Sequence, residues 1–166
     1  MSWFLTHRSA SYIKRLYGKK PDAKADIRGS GAYRDIVGTA EFYQTGDGVL
    51  VSVEVTGLPS QPGPCASGIF ALHLHEGAPC AGTPDDPYAD VGGHYNPGGC
   101  PHPHHAGDLP PLFETEGRAF MVVLTGRFKV ADIIGRTVII HAGPDDFTSQ
   151  PAGSAGRKIA CGVIRR

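Results

Sequence analysis

Hydrophobic positions along the chain fall into short runs of period two, separated by long stretches with no period. Residues 36–44 read IVGTAEFYQ and residues 49–55 read VLVSVEV, where Val49, Val51, Val53 and Val55 alternate with other residues. The Gly46-Asp47-Gly48 turn between them predicts a β-hairpin. Further strands are predicted at 69–75 (IFALHLH), 118–125 (RAFMVVLT), 137–141 (TVIIH) and 159–164. Residues 76–116 and 142–156 read instead as two long loops rich in Gly, Pro and Asp. Loops of that length in a compact domain are usually functional or disordered. No internal repeat is present, and no long helical period follows residue 20. The fold class is all-β, a sandwich or barrel with two long loops.

Composition supports this reading. The 166 residues are one domain's worth, and 23 Gly and 14 Pro suit strands joined by many turns. Hydrophobic residues at 40% argue against wholesale disorder. Lys+Arg and Asp+Glu are 16 each, a balance unlike that of a generic nucleic-acid binder. No apolar run approaches the roughly 18 residues of a membrane span. Charge is unevenly spread, however. Residues 1–29 carry seven Lys/Arg against two Asp, whereas residues 30–166 carry nine against fourteen acids. The basic extension, 1–23, lacks the apolar centre of a secretory signal, and Tyr12, Ile13, Leu16 and Tyr17 can line a short helix ending at Gly18. With no export signal visible the default compartment is the cytoplasm, an extracytoplasmic one remaining open. Cys65, Cys80, Cys100 and Cys161 form no CxxC pair, and four cysteines allow three full pairings.

The histidines carry the chemistry. Seven of eight lie between residues 73 and 141. His73 and His75, two apart on a strand, point to the same face and offer two nitrogens to one metal. His141 ends a strand and can approach from a neighbour. His94 lies in GGHYNP, and PHPHHAGD gathers His102, His104, His105 and Asp108. Three imidazoles with a carboxylate satisfy tetrahedral zinc, and imidazoles alone suit copper(II). No nucleophile elbow or phosphate-binding loop is present.

HLHEG, GGHYNP, HHAGDLP, GRTVIIHAGPDD and IACGVI follow in the order seen in copper/zinc superoxide dismutases, and residues 24–166 resemble that family, in its bacterial form. The resemblance implies a Greek-key, immunoglobulin-like β-sandwich or barrel. It also implies dismutation of superoxide to oxygen and hydrogen peroxide by a redox-cycling copper joined to a structural zinc. His73, His75, His94 and His141 match the copper ligands, and His94 matches the histidine bridging to zinc. His94, His102, His105 and Asp108 match the zinc ligands, with His104 an alternative to His102 because the 102–105 segment is shorter than in most relatives. Asp145 matches the aspartate linking a copper histidine to a zinc histidine, and Cys80 and Cys161 match the disulfide. Where the family has an arginine that guides the anion, this chain has Lys158, with Arg157 one place earlier. Either can serve, though lysine lacks the planar fork of donors. Cys65 and Cys100 match no family role. The resemblance allows a homodimer. A copper- and zinc-binding module without strong activity is the alternative function.

Overall fold

In the computed structural model of the protein, residues 18–60, 63 and 68–166 are described. The predicted helix over residues 12–17 and Cys65 lie outside them. Eight strands form one antiparallel sheet: β1 (Ala23–Gly29), β2 (Val37–Thr45), β3 (Gly48–Thr56), β4 (Gly68–His75), β5 (Asp108–Glu114), β6 (Arg118–Thr125), β7 (Thr137–His141) and β8 (Lys158–Arg165). Their order is β5-β4-β7-β8-β1-β2-β3-β6. The two ends, β5 and β6, lie alongside each other and close the sheet into a barrel. The connections β3 to β4 and β6 to β7 cross over rather than join neighbours, which gives the Greek-key topology.

Period two sets the faces. Val49, Val51, Val53 and Val55 of β3 and Ala40 and Phe42 of β2 are buried in the barrel interior. The β2–β3 hairpin closes tightly, with Thr45 opposite Gly48 and the Thr45 Oγ1 hydroxyl donating to the Gly48 carbonyl at 2.8 Å. In β1, buried Ala23, Ala25 and Ile27 alternate with exposed Lys24, Asp26 and Arg28. Strands β4 and β7 depart from this pattern, since both of their faces are covered. Phe70, Leu72, Leu74, Val138 and Ile140 face the main core. Ile139 instead joins Tyr88, Val91 and Cys161 in a second apolar cluster, with Cys80 packed against it. That cluster seats residues 76–107 on the barrel's outer wall, and the Cys80–Cys161 disulfide fixes the seating covalently.

Two strands lie where the sequence pattern indicates none. β1 precedes every predicted strand, and β5 occupies the end of the stretch read as loop 76–116. The short helix α1 (Val130–Ile133) is the only α-helix among the described residues.

Candidate metal centre

The strand register assembles the site. His73 and His75 project from β4 on the face opposite Leu72 and Leu74, so the barrel wall positions both rings. Asp108, the first residue of β5, pairs directly with His73. His94 forms a β-bridge with His75, and its neighbours are pinned to the same strand: Tyr95 N–H donates to the Leu74 carbonyl at 2.8 Å, and Leu74 N–H to the Gly107 carbonyl at 2.9 Å. His141 ends β7. Two donor groups result, His73–His75–His94–His141 and His94–His102–His105–Asp108, all buried, with the ligand atoms of each within 4.8 Å of one another. His94 is the member common to both.

Hydrogen bonds decide which ring nitrogens are bare. A carbonyl oxygen only accepts, so His75 Nδ1 donates to Gly92 O at 2.8 Å and His141 Nδ1 to Gly156 O at 3.1 Å. Their Nε2 atoms, left without protons, face each other at 3.3 Å. Asp145 does the same for two other rings, accepting from His73 Nε2 at 2.9 Å and from His102 Nε2 at 2.8 Å. This leaves His73 Nδ1 and His102 Nδ1 without hydrogen bonds, His102 Nδ1 lying 3.1 Å from Asp108 Oδ2, its fellow member of the second group, and His94 Nε2 likewise has none. His94 Nδ1 lies 2.8 Å from Asp108 Oδ1 and 3.3 Å from His105 Nδ1, on the side of the second group. Buried polar atoms without partners are rare, and three of them in two convergent nests are what a ligated cation satisfies.

Electrostatics favours the same outcome. Burial pushes the His75 and His141 imidazoles down, to about 3 and about 4, and pushes His73 lower still, with the neighbouring histidines adding to the effect at all three. They are therefore neutral and ready to ligate. Burial raises the Asp108 carboxyl, but the hydrogen bond from His94 and the attraction of His94, His105 and His102 outweigh it and bring it down to about 2. The donor chemistry fits both metals: four imidazoles for copper(II), and three imidazoles with one carboxylate for zinc.

A cleft of about 500 Å³ opens over His75, His94 and His141 and is also lined by Lys158. Lys158 is opposite His141 in the β7–β8 register, and its Nζ lies 2.7 Å from Asp86 Oδ2. Arg157 is exposed and lies outside this cleft, beside Asp85 and Asp86. His104 is exposed and belongs to neither donor group, whereas His102 belongs to the second. Cys100 is a free, exposed thiol whose hydrogen bond goes to the Gly98 carbonyl. Cys80 and Cys161 are bonded across 81 residues.

Three contributors escape sequence reasoning. Gln150 brackets the His102 backbone, its Oε1 accepting from the N–H at 3.0 Å and its Nε2 donating to the carbonyl at 2.7 Å. Gly153, at φ +66°, lies so close to Asp145 and His102 that a Cβ would meet Asp145 Oδ1 at 2.0 Å and His102 Nε2 at 2.7 Å. Asp86 holds Lys158. None sits in a motif, and their partners are 48, 8, 51 and 72 residues away in sequence.

Residues 36–164 match the copper/zinc superoxide dismutase family. The chain is 35% identical to a protein named superoxide dismutase [Cu-Zn] 2 from Aquifex aeolicus, over 87% of this chain and 88% of that one. It is 33% identical to superoxide dismutase [Cu-Zn] from Deinococcus radiodurans (88% and 85% covered) and 35% identical to that from Legionella pneumophila (87% of each). The matched segment contains every residue of both donor groups, the disulfide and all strands from β2 to β7, so the chain belongs to the copper/zinc superoxide dismutase family.

Proposed function

We propose that this protein dismutates superoxide, with His73, His75, His94 and His141 holding copper and His94, His102, His105 and Asp108 holding zinc. The observation that carries the reading is His94, a single buried ring with one nitrogen among the second group's donors and the other, Nε2, without a partner beside the first. Bound copper supplies one-electron exchange and bound zinc a fixed positive charge.

The chain's own residues do the rest. Lys158 places a cation at the mouth of the cleft, where it draws in the superoxide anion. Arg157, outside that cleft, contributes at longer range. One superoxide gives up an electron and leaves as oxygen. A second takes up one electron and two protons and leaves as hydrogen peroxide. His94 Nε2 holds and releases one of those protons, and the other comes from solvent. Asp145 and the Gly92 and Gly156 carbonyls keep the remaining rings in their tautomers throughout. The dismutase unit is residues 24–166, with 1–23 a basic extension.

The test is superoxide disappearance in the copper- and zinc-loaded chain against His141→Ala. Copper-dependent activity that is lost in the variant supports the reading. Copper bound stoichiometrically at these histidines without activity overturns it and leaves a metal-binding module. The Cys80–Cys161 bond favours an oxidising, extracytoplasmic compartment over the cytoplasmic default. Among the described residues no helix is long and apolar enough to cross a membrane. We further propose a homodimer joined through Phe113 on β5 and Phe120, Val122 and Leu124 on β6. Both phenylalanines are largely exposed, at 67% and 70%, on strands that lie side by side, and Val122 and Leu124 are exposed beside Phe120 on β6. Sedimentation tests it: Phe120→Lys is expected to yield monomers, and a monomeric parent protein overturns it.

A further inference from the structure

Gln150 holds the His102 backbone, and a second outside side chain grips the rest of the segment that carries His105 and Asp108. Arg127, in the turn between β6 and α1, directs a single guanidinium nitrogen, Nη1, at three backbone carbonyls: Pro103 at 3.2 Å, His105 at 3.1 Å and Asp108 at 3.0 Å. Two of those carbonyls belong to residues of the second donor group, and the third sits between His102 and His104. The platform under Arg127 is firm. Phe128 and Val130, just after it, are buried in the main core, and the Val130 N–H donates to Gln44 Oε1 at 2.9 Å. Three carbonyl dipoles aimed at one point repel one another unless a cationic donor lies there.

We propose that Arg127 is a positioning residue for zinc: it locks the backbone of the 103–108 segment so that His105 and Asp108 are aimed before the metal arrives. The proposal rests on the zinc assignment above. Ordering donors in advance removes an entropic cost from binding, and loss of such supporting contacts typically weakens a metal site roughly 10- to 100-fold. The charge on Arg127 opposes a second cation, but the residue is exposed and its field is screened by salt. The ordering effect therefore sets the sign. Because one nitrogen makes all three contacts, a lysine ammonium with three donors can replace it.

The experiment measures zinc release from the copper- and zinc-loaded full chain into excess chromogenic chelator, followed by absorbance. Arg127→Met is expected to release zinc roughly 10- to 100-fold faster than the parent, with Arg127→Lys within about threefold of it. Should Arg127→Met not fold, Arg127→Gln, which keeps donors but no charge, takes its place with a smaller increase expected. Parental release in the Met or Gln variant, or equal acceleration in the Lys variant, overturns the proposal. Asp108→Ala is measured in parallel. Fast release there with parental release in Arg127→Met removes only the role of Arg127, whereas parental release in Asp108→Ala removes the zinc assignment itself.

Discussion

Asp145 is the residue on which both donor groups depend. One oxygen takes the His73 ring, the other takes His102, and the Phe147 N–H at 2.7 Å holds the carboxylate in place. Asp145→Ala is expected to weaken copper and zinc together, each by roughly 10- to 100-fold, because both rings lose their orientation and tautomer. Calorimetric titration of the metal-free protein checks it, and weakening of one metal alone would contradict the shared role. At the mouth, Lys158 is 17% exposed and paired with Asp86, so the pair is nearly neutral from a distance. Lys158→Ala leaves the Asp86 carboxylate unpaired beside the cleft, which changes the local charge from about zero to negative. Dismutation at low salt is expected to fall by about tenfold, with added salt then raising the rate, whereas the parent with its near-neutral pair changes little with salt. Asp86→Asn is expected to shift both readings the opposite way, and stopped-flow rates across ionic strength decide. Legibility at this scale follows sequence distance. His73 and His75 are readable because strand period two puts them on one face, whereas the irregular β7–β8 register at Ile140 and His141, which sets Lys158 rather than Arg157 opposite His141, is not. Gly153, Gln150 and Arg127 act through backbone or distant partners, and no local pattern announces that.

At the level of elements, the strands that were visible are those whose buried positions carry large or β-branched side chains, such as β3 and β7. β1 was missed because Ala23 and Ala25 fill two of its three inward positions, and alanine gives neither volume nor strand preference. β5 was missed because Pro110 and Pro111 stand in its middle, and proline usually argues against a strand. The barrel tolerates them because the β4–β5 ladder breaks there: Phe70 pairs with Leu112 and Leu72 with Leu109, which leaves Pro110 and Pro111 without ladder partners. Of the cysteine pairings, only family resemblance singled out Cys80 with Cys161. The bond spans 81 residues and ties the outer loop to β8 beside the Tyr88–Val91–Ile139 cluster. In the chain-entropy treatment a loop of this length contributes about 4.5 kcal/mol. Replacing both cysteines by serine is expected to lower the metal-free unfolding free energy by an amount of that order. Denaturant titration measures it, and an unchanged midpoint would mean that the apolar cluster alone seats the loop.

Over the whole molecule, the metal centre is a buried polar site built into the outer wall of a barrel, and its histidines come from β4, β7 and the loops between strands. Loss of the site and loss of the fold are therefore coupled. Without metal, His73, His75 and His141 stay neutral because burial penalises their charged forms, and the latter two titrate only at about 3 and about 4. In the unfolded chain each titrates at about 6.5. Between those limits the unfolded state binds more protons, so stability is complete above about pH 6.5 and is lost as pH falls toward 4, by up to about 1.4 kcal/mol per pH unit for each histidine. Asp108, brought down to about 2, adds to the loss only below the ordinary carboxylate range. Thermal unfolding of the metal-free protein is expected to drop steeply from pH 6.5 to 4. The loaded protein should hold its transition until protons displace the metals, because ligated nitrogens cannot be protonated. A metal-free transition temperature that is flat across this range would show that these rings are hydrated and protonated in solution, which is incompatible with the preformed nest of bare nitrogens.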